Sequence, residues 1–479
     1  MLPAGRSPRR IDMTRACMTD EHRTTQGALS QGQALAQSAL DPAALVERCL
    51  TAATTRPTVF TQLTPERARR EAEASARRHR AGYPVGPLDG VPIVCKDIFD
   101  MAGTSTTAGS RCRLDRVAER DAPAMRHASA AGLVCIGKTN LSELAYSGLG
   151  LNPHYGTPHH TPGDGPARAP GGSSSGTAVA IAQGLVTAGL GTDTAGSLRI
   201  PAAFNGLAAY RPTQARHSRD GVVPLARSTD TVGVIANDLS GCLAVDAAIA
   251  GETVPEDLGP ATPDTAAPLI LETGLLEDAH LAPAIRTHLL AACERLRAAG
   301  FSIIERRVTS IHDVLAAIRQ YGWIGAAEAY TEHQALLASA QAGELDPRVA
   351  RRLGEAATIR PEQIVTLYRL RRELARAHAA ETAGAVVISP TVADVAPLLG
   401  PLEADDEHFA AVNREILRLT MVASFLDAPA VALPSGTDNA GQHTSLQLSS
   451  ATGTDPTLLR TARAVDAALT DSRADNRVF

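Results

Sequence analysis

Apolar residues along this chain fall into short runs separated by longer stretches with helical spacing. Residues 90–96 (GVPIVCK) form an apolar run after a turn and predict a buried strand. A helix over 122–131 leads into a second strand over 132–136, and a small-residue helix over 174–183 feeds a third over 185–190. Asp41-Pro42 supplies the N-cap and first turn of a helix to about 54, and Thr64-Pro65 opens a strongly charged one to about 80. Helices near 283–299, 312–340, 361–383 and 406–425 alternate with apolar runs at 301–304, 385–388 and 428–433. This alternation predicts an α/β sheet covered on both faces.

Residues 1–40 are polar and rich in Arg, Thr and Gln, which predicts a flexible lead-in; residues 41–479 read as one domain. The proline-rich segment 255–268 is a loop inside the fold or a weak boundary. With 44% apolar and 20% charged residues, the 479-residue chain is not generally disordered. A net charge of -5 gives no footprint for nucleic acid, and no run of 18 apolar residues suggests a membrane span. Seven cysteines, never in a CxxC pair, fit a reducing compartment. No apolar segment follows Arg9-Arg10, so a cytoplasmic location is expected, with Met13 or Met18 as alternative starts.

One bias sharpens the picture. Of 46 basic residues only Lys96 and Lys138 are lysine. Arginine can replace lysine as a surface charge, but it cannot lose its proton and act as a base. Lys96 closes the 90–96 strand. Two further loops are candidates for chemistry: Gly171-Gly-Ser-Ser-Ser-Gly176 and Gly191-Thr-Asp-Thr-Ala-Gly-Ser-Leu-Arg-Ile-Pro201. A serine hydroxyl needs an adjacent base, and lysine serves when burial lowers its pKa from about 10.4 toward 7 or 8. Successive N–H groups of a small-residue turn such as 194–197 can face an oxyanion. Alone, each of these signals is weak, since a Gly-Ser loop is most often a linker.

Their order and spacing resemble the amidase signature family of serine amidohydrolases. GVPIVCK supplies Lys96, GGSSSG supplies Ser173, and DTAGSLRIP supplies Ser197, 24 residues after Ser173. Segments at 137–145, 211–216 and 221–230, and later Ser389-Pro-Thr391 and 429–436, are also similar to the family's blocks. The resemblance spans about 40–470 and is most specific at 90–235. It implies a central mixed, twisted β-sheet with helices on both faces. It further implies Ser197 as nucleophile, Ser173 behind a cis peptide bond as proton relay, and Lys96 as neutral base. Backbone N–H groups of Thr194, Ala195, Gly196 and Ser197 would form the oxyanion hole, and Asp193 and Arg199 would brace the turn. The expected reaction is hydrolysis of a small carboxamide through an acyl-enzyme, without metal or cofactor; a homodimer is left open.

Ala195 departs from the family's usual glycine, so the turn either carries negative φ there or differs in shape. Alternatives within the resemblance are the A-subunit of the glutamyl/aspartyl-tRNA amidotransferase and a biuret or allophanate-type hydrolase. The amidotransferase chain typically reads SIRQP where this chain reads Ser197-Leu-Arg-Ile-Pro201. Cys95, Lys96 and Glu143 resemble the Cys-Lys-Glu set of nitrilases, yet no surrounding motif fits, and Cys95 reads as core. His154, His159 and His160 lack acidic or cysteine partners at metal-ligand spacing and read as a polar loop. Lys138 reads as a structural residue near the site, and Tyr321 and Trp323 as core or pocket wall.

Overall fold

The computed structural model describes residues 27–113, 116–159, 165–256, 258–259 and 261–475. Among them eleven strands form one continuous sheet: β1 Phe60–Leu63, β2 Pro92–Lys96, β3 Val134–Thr139, β4 Ala188–Asp193, β5 Ala208–Arg211, β6 Thr231–Ala236, β7 Leu269–Glu272, β8 Ile303–Arg306, β9 Val386–Pro390, β10 Ala430–Thr437 and β11 His443–Ser449. Their order is β1-β3-β2-β4-β6-β5-β10-β11-β9-β7-β8. The pairs β3/β2, β2/β4, β9/β7 and β7/β8 are parallel and the rest antiparallel, so the sheet is mixed as expected.

β2, β3, β4 and β6 are buried at every position, which explains why their sequences read as continuous apolar or small runs rather than alternating ones. The edge strands β1 and β8 are only partly buried. The helix Pro42–Thr54 begins as predicted, with Asp41 Oδ1 accepting from the Ala44 N–H at 2.9 Å. The helices Pro65–Arg80, Pro123–Ala130, Ser175–Ala182 and Asp406–Leu426 also lie where the pattern placed them.

Two expectations change, and one open alternative is decided. The helix read over 312–340 is two, Thr309–Tyr321 and Ile324–Leu337, because Gly322 adopts φ +90° and breaks the ladder. Trp323 caps the second and tilts against Phe425 at 6.4 Å between ring centroids. The expected lead-in is not free along its whole length: Ala28–Ala36 is helical and buries Ala28, Gln31, Gly32 and Leu35 against the main core. Apolar burial of Leu35 and Ala28 offsets the ordering cost of this polar segment. Residues 1–26, which include Arg9, Arg10, Met13, Cys17 and Met18, lie outside the described residues. Of the two readings of 255–268, the loop inside the fold holds for its described residues, since Leu258, Ala261 and Ala266 pack on the core and the Ala267 N–H donates to Thr461 Oγ1 at 3.0 Å. No helix among the described residues is long and apolar enough to cross a membrane.

If the Ala28–Ala36 helix is an integral part of the core, Leu35→Ala should lower stability by about 2–4 kcal/mol, the usual cost of truncating a buried leucine. Urea unfolding followed by circular dichroism measures this. An unchanged midpoint would show that the helix rides on the surface.

Candidate active site

The parallel pairing of β2 with β4 sets Ile93 beside Ala188 and Cys95 beside Leu190. This register brings Lys96, at the end of β2, beside the last residues of β4, where Thr192 lies. Lys96 is fully buried, and its Nζ lies 2.7 Å from Ser173 Oγ and 3.0 Å from Thr192 Oγ1. Among the described residues no carboxylate pairs with it. Burial therefore pulls its pKa down from 10.5 to about 7, only partly opposed by the charges of Asp230 and Asp193.

Lys138 provides the contrast. It is equally buried, but its Nζ sits 2.7 Å from Asp97 Oδ1 and also donates to the Ser105 carbonyl at 2.6 Å. One lysine has a counter-ion and the other has only hydroxyls. Arginine could not occupy the second environment without burying an unpaired charge.

Ser173 follows a cis Gly172–Ser173 peptide bond, just before the helix Ser175–Ala182. The Ser174 N–H donates to the Ser197 carbonyl at 3.3 Å, joining the two serine loops. Ser197 is 4% exposed, and its hydroxyl has no hydrogen-bond partner among the described residues. The structure thus bonds the buried Lys96 amine to the Ser173 hydroxyl, and Ser197 is tied to the same loop through its carbonyl, which accepts from the Ser174 N–H.

Asp193 organises the turn that carries Ser197. Its carboxylate accepts from the Gly196 N–H at 2.8 Å, the Leu198 N–H at 3.2 Å, and Arg199 Nε and Nη2 at 2.9 and 2.8 Å. Arg211 adds a further cation at 3.5 Å. Burial would raise the Asp193 pKa, but Arg199, Arg211 and the backbone donors overcome it and bring it to about 2. Arg199 in turn donates to Gln447 Oε1, the Thr420 carbonyl and Ser424 Oγ. Both expected bracing residues therefore meet in one buried ion pair.

The oxyanion expectation is corrected at one position. The Gly196 N–H is turned back onto Asp193, whereas those of Thr194, Ala195 and Ser197 have no acceptor among the described residues. Ala195 is not among the residues with positive φ, so its methyl group fits without strain; Gly196 carries the unusual φ of +131°. A Cβ at Gly196 would lie 2.2 Å from Thr420 Oγ1, and Thr420 itself donates to the Ala195 carbonyl at 2.6 Å.

Sequence reasoning missed several supports. Thr192 holds Lys96, and Asp230 accepts from Thr194 Oγ1 at 2.6 Å and from the Leu225 and Ala226 N–H groups. Burial raises the Asp230 pKa to about 6 against these hydrogen bonds. The signal for Thr192 was a polar residue next to Asp193 at the end of the small, apolar run Ala188–Gly191; Thr420 had no local signal.

The other candidates stay apart from this cluster. Cys95 is core, 3.8 Å from Cys135 Sγ, and contact with Cys135 together with burial pushes its thiol well above the usual range. Glu143 binds His154 Nε2 at 3.0 Å and the Asp346 N–H at 2.6 Å, not Lys96. His159 faces the Thr157 carbonyl at 3.5 Å, and His160 lies outside the described residues. The described residues hold no group of three or more His, Cys, Asp or Glu positioned for a metal.

The Amidase family profile matches residues 44–459. The glutamyl-tRNA(Gln) amidotransferase A-subunit of Anaeromyxobacter sp. (strain K) is 40% identical over 239 residues, covering 49% of this chain and 48% of that protein. The chain thus spans about half the length of that relative and of the next similar one. A 2-amino-5-chloromuconic acid deaminase of Comamonas testosteroni is 30% identical over 393 residues, 80% of this chain and 82% of that protein. A crystal structure of an amidase superposes with a TM-score of 0.80 at 28% identity, covering 94% of this chain and all of that one.

Asp193→Asn should destabilise the protein by about 3–5 kcal/mol, because it leaves buried guanidinium groups without a carboxylate. At the turn, Gly196→Ala should be strongly damaging while Ala195→Gly stays within about 1 kcal/mol of the parent. Thermal unfolding of the three variants separates these outcomes. Equal tolerance at 195 and 196 would contradict the described turn.

Proposed function

Since the chain belongs to the Amidase family, we propose that it hydrolyses the C–N bond of a small carboxamide, releasing a carboxylate and ammonia or an amine. The observation that carries this reading is the buried Lys96 amine at 2.7 Å from Ser173 Oγ, with no carboxylate paired to it among the described residues. A lysine with a pKa near 7 is half neutral at physiological pH and accepts a proton through hydroxyls.

In this mechanism the Ser197 hydroxyl attacks the amide carbon as its proton passes to Ser173, whose own proton moves to Lys96. The N–H groups of Thr194, Ala195 and Ser197 stabilise the oxyanion of the tetrahedral intermediate, while that of Gly196 stays on Asp193. Asp193 and Arg199 hold the turn in place. Return of the proton from Lys96 through Ser173 to the leaving nitrogen breaks the C–N bond and leaves an ester on Ser197. Water hydrolyses the ester by the same relay. No step calls for a metal or cofactor. The natural substrate is a small molecule rather than a nucleic acid, and the enzyme works in the cytoplasm, alone or as a homodimer.

A second reading, the A-subunit of a tRNA-dependent amidotransferase, is favoured by the name of the 40%-identical relative. It uses the same site but requires partner proteins. Ammonia release by the purified chain alone supports the free-standing enzyme; activity only when the partners are added overturns it. Activity confined to ureas would favour the biuret or allophanate-type alternative.

Ser197→Ala should abolish turnover, and a serine-directed phosphonate should add one group at Ser197. Modification at Ser174 or Cys95 would refute the assignment. Ser173→Ala should lose about 10²–10⁴-fold in kcat, the range for a lost proton-transfer group.

The pH profile tests the base. Neutral Lys96 is the active form, so kcat/KM should fall as pH drops through about 7 and level off above it. Lys96→Arg keeps the charge but cannot deprotonate, and should be nearly inactive at every pH. Substantial activity in Lys96→Arg, or an acid limb absent down to pH ~5, would exclude lysine as base.

A further inference from the structure

A trans peptide unit is planar, with its C=O and N–H on opposite sides, so whatever holds the carbonyl also aims the N–H. In the turn after β4, the unit joining Ala195 to Gly196 is bound at both ends. Thr420 Oγ1 donates to its carbonyl at 2.6 Å, and its N–H goes to Asp193 Oδ1 at 2.8 Å. The unit joining Gly196 to Ser197 is held by its carbonyl, which accepts the Ile200 N–H at 2.8 Å. The unit joining Asp193 to Thr194 is held from outside the turn. Its carbonyl accepts from Thr231 Oγ1 at 3.1 Å, which aims the Thr194 N–H to the opposite side, where it has no acceptor among the described residues.

Thr231 opens β6, is 1% exposed, and faces Asp193 in the last pair of the β4/β6 ladder. The residue before it takes the Thr194 side chain: Asp230 Oδ1 accepts from Thr194 Oγ1 at 2.6 Å, a length typical of a charge-assisted bond. An ionised carboxylate only accepts, so the Thr194 hydroxyl must donate there, and its rotamer is fixed. The Ala195 N–H belongs to the unit that starts at Thr194, so the same pin restrains it. The clamp is itself tied down. The Leu225 and Ala226 N–H groups donate to the Asp230 carboxylate at 2.9 and 3.0 Å, and the Asp230 N–H returns to the Ala226 carbonyl at 2.8 Å. Gln214 Nε2 bonds the Arg227 and Asp230 carbonyls from the other side.

We propose that Asp230 and Thr231 are positioning residues for the oxyanion hole, which hold the 193–194 peptide so that the Thr194 N–H meets the charge developing on the substrate oxygen. The inference rests on the hydrolytic reading and deepens it, since neither residue forms a hydrogen bond with Lys96, Ser173 or Ser197. Asp230 also acts on Lys96 through its charge, so the test leaves that carboxylate in place and removes the two hydroxyls instead.

The probe is methanesulfonyl fluoride, no larger than a small amide. The Ser197 oxygen displaces its fluoride, the serine proton passes through Ser173 to Lys96, and negative charge builds on the sulfonyl oxygens in between. The second-order rate of labelling, with the site read from peptide masses, is followed across pH 5–9 on the full chain and on Thr231→Val, Thr231→Ser and Thr194→Val. Losing an oxyanion donor outright costs about 10²–10³-fold, and a donor swung off its aim costs a part of that. Thr231→Val and Thr194→Val should therefore lower the alkaline plateau by about tenfold or more, while the midpoint set by Lys96 stays near pH 7. Valine removes only the hydroxyl and serine only the methyl group, so Thr231→Ser should restore most of the rate; a packing role would be hurt by both. If Thr231→Val does not fold, Thr194→Val tests the same peptide from its side chain. Labelling of the valine variants at the parent's rate, a Thr231→Ser protein as slow as Thr231→Val, or a moved midpoint with an intact plateau overturns the proposal. A parent chain that takes no label at Ser197 overturns the hydrolytic reading and this one with it, whereas a labelled parent with unaffected variants overturns this one alone.

Discussion

The buried ion pair between Asp193 and Arg199 is the constraint on which the site depends. Asp193 ends β4 on one side of the sheet centre. Arg199 begins the short helix Arg199–Asn205 and reaches across to Gln447 on β11 and to Thr420 and Ser424 in the helix Asp406–Leu426. A turn in which the N–H groups of Thr194, Ala195 and Ser197 have no acceptor among the described residues is under-bonded. The carboxylate compensates by fixing the N–H groups on either side of Ser197, at Gly196 and Leu198, so the ones left free are held in place by their neighbours. The same contacts tie residues near 195 to residues more than 200 positions later, so the late helix is part of the turn's frame.

The two lysines show how environment, not residue type, decides chemistry. Both are fully buried within neighbouring strands β2 and β3. Asp97 supplies Lys138 with a counter-charge and makes it a fastener, whereas Lys96 is left among hydroxyls and its ammonium form is penalised. Placing Lys96 on the last residue of a strand buried at every position keeps its amine away from bulk water.

What could be read beforehand was whatever is local. Lys96, Ser173, Ser197, Asp193 and Arg199 sit in short segments whose small residues and spacing mark them; the parallel β2/β4 pairing sets Lys96 and Asp193 at the same end of neighbouring strands, and Ser173 meets Lys96 there. The supports from Thr420, Ser424 and Gln447 were invisible because nothing in a helix or strand sequence tells which distant turn it will touch. The commitment of the Gly196 N–H to Asp193 depends on backbone direction, which composition does not encode. The break at Gly322 was hidden because a single glycine inside a helical pattern is tolerated at a cost of only about 1 kcal/mol. The strands β5 and β7, four residues each, are too short for any periodicity to register.

With both of its lysines interior, the chain has no lysine ammonium on its surface, and every exposed side-chain cation in the described residues is a guanidinium or an imidazole. Reagents that acylate primary amines therefore find no lysine to modify on the folded molecule. The sudden appearance of two reactive lysine amines is then a direct chemical readout of unfolding.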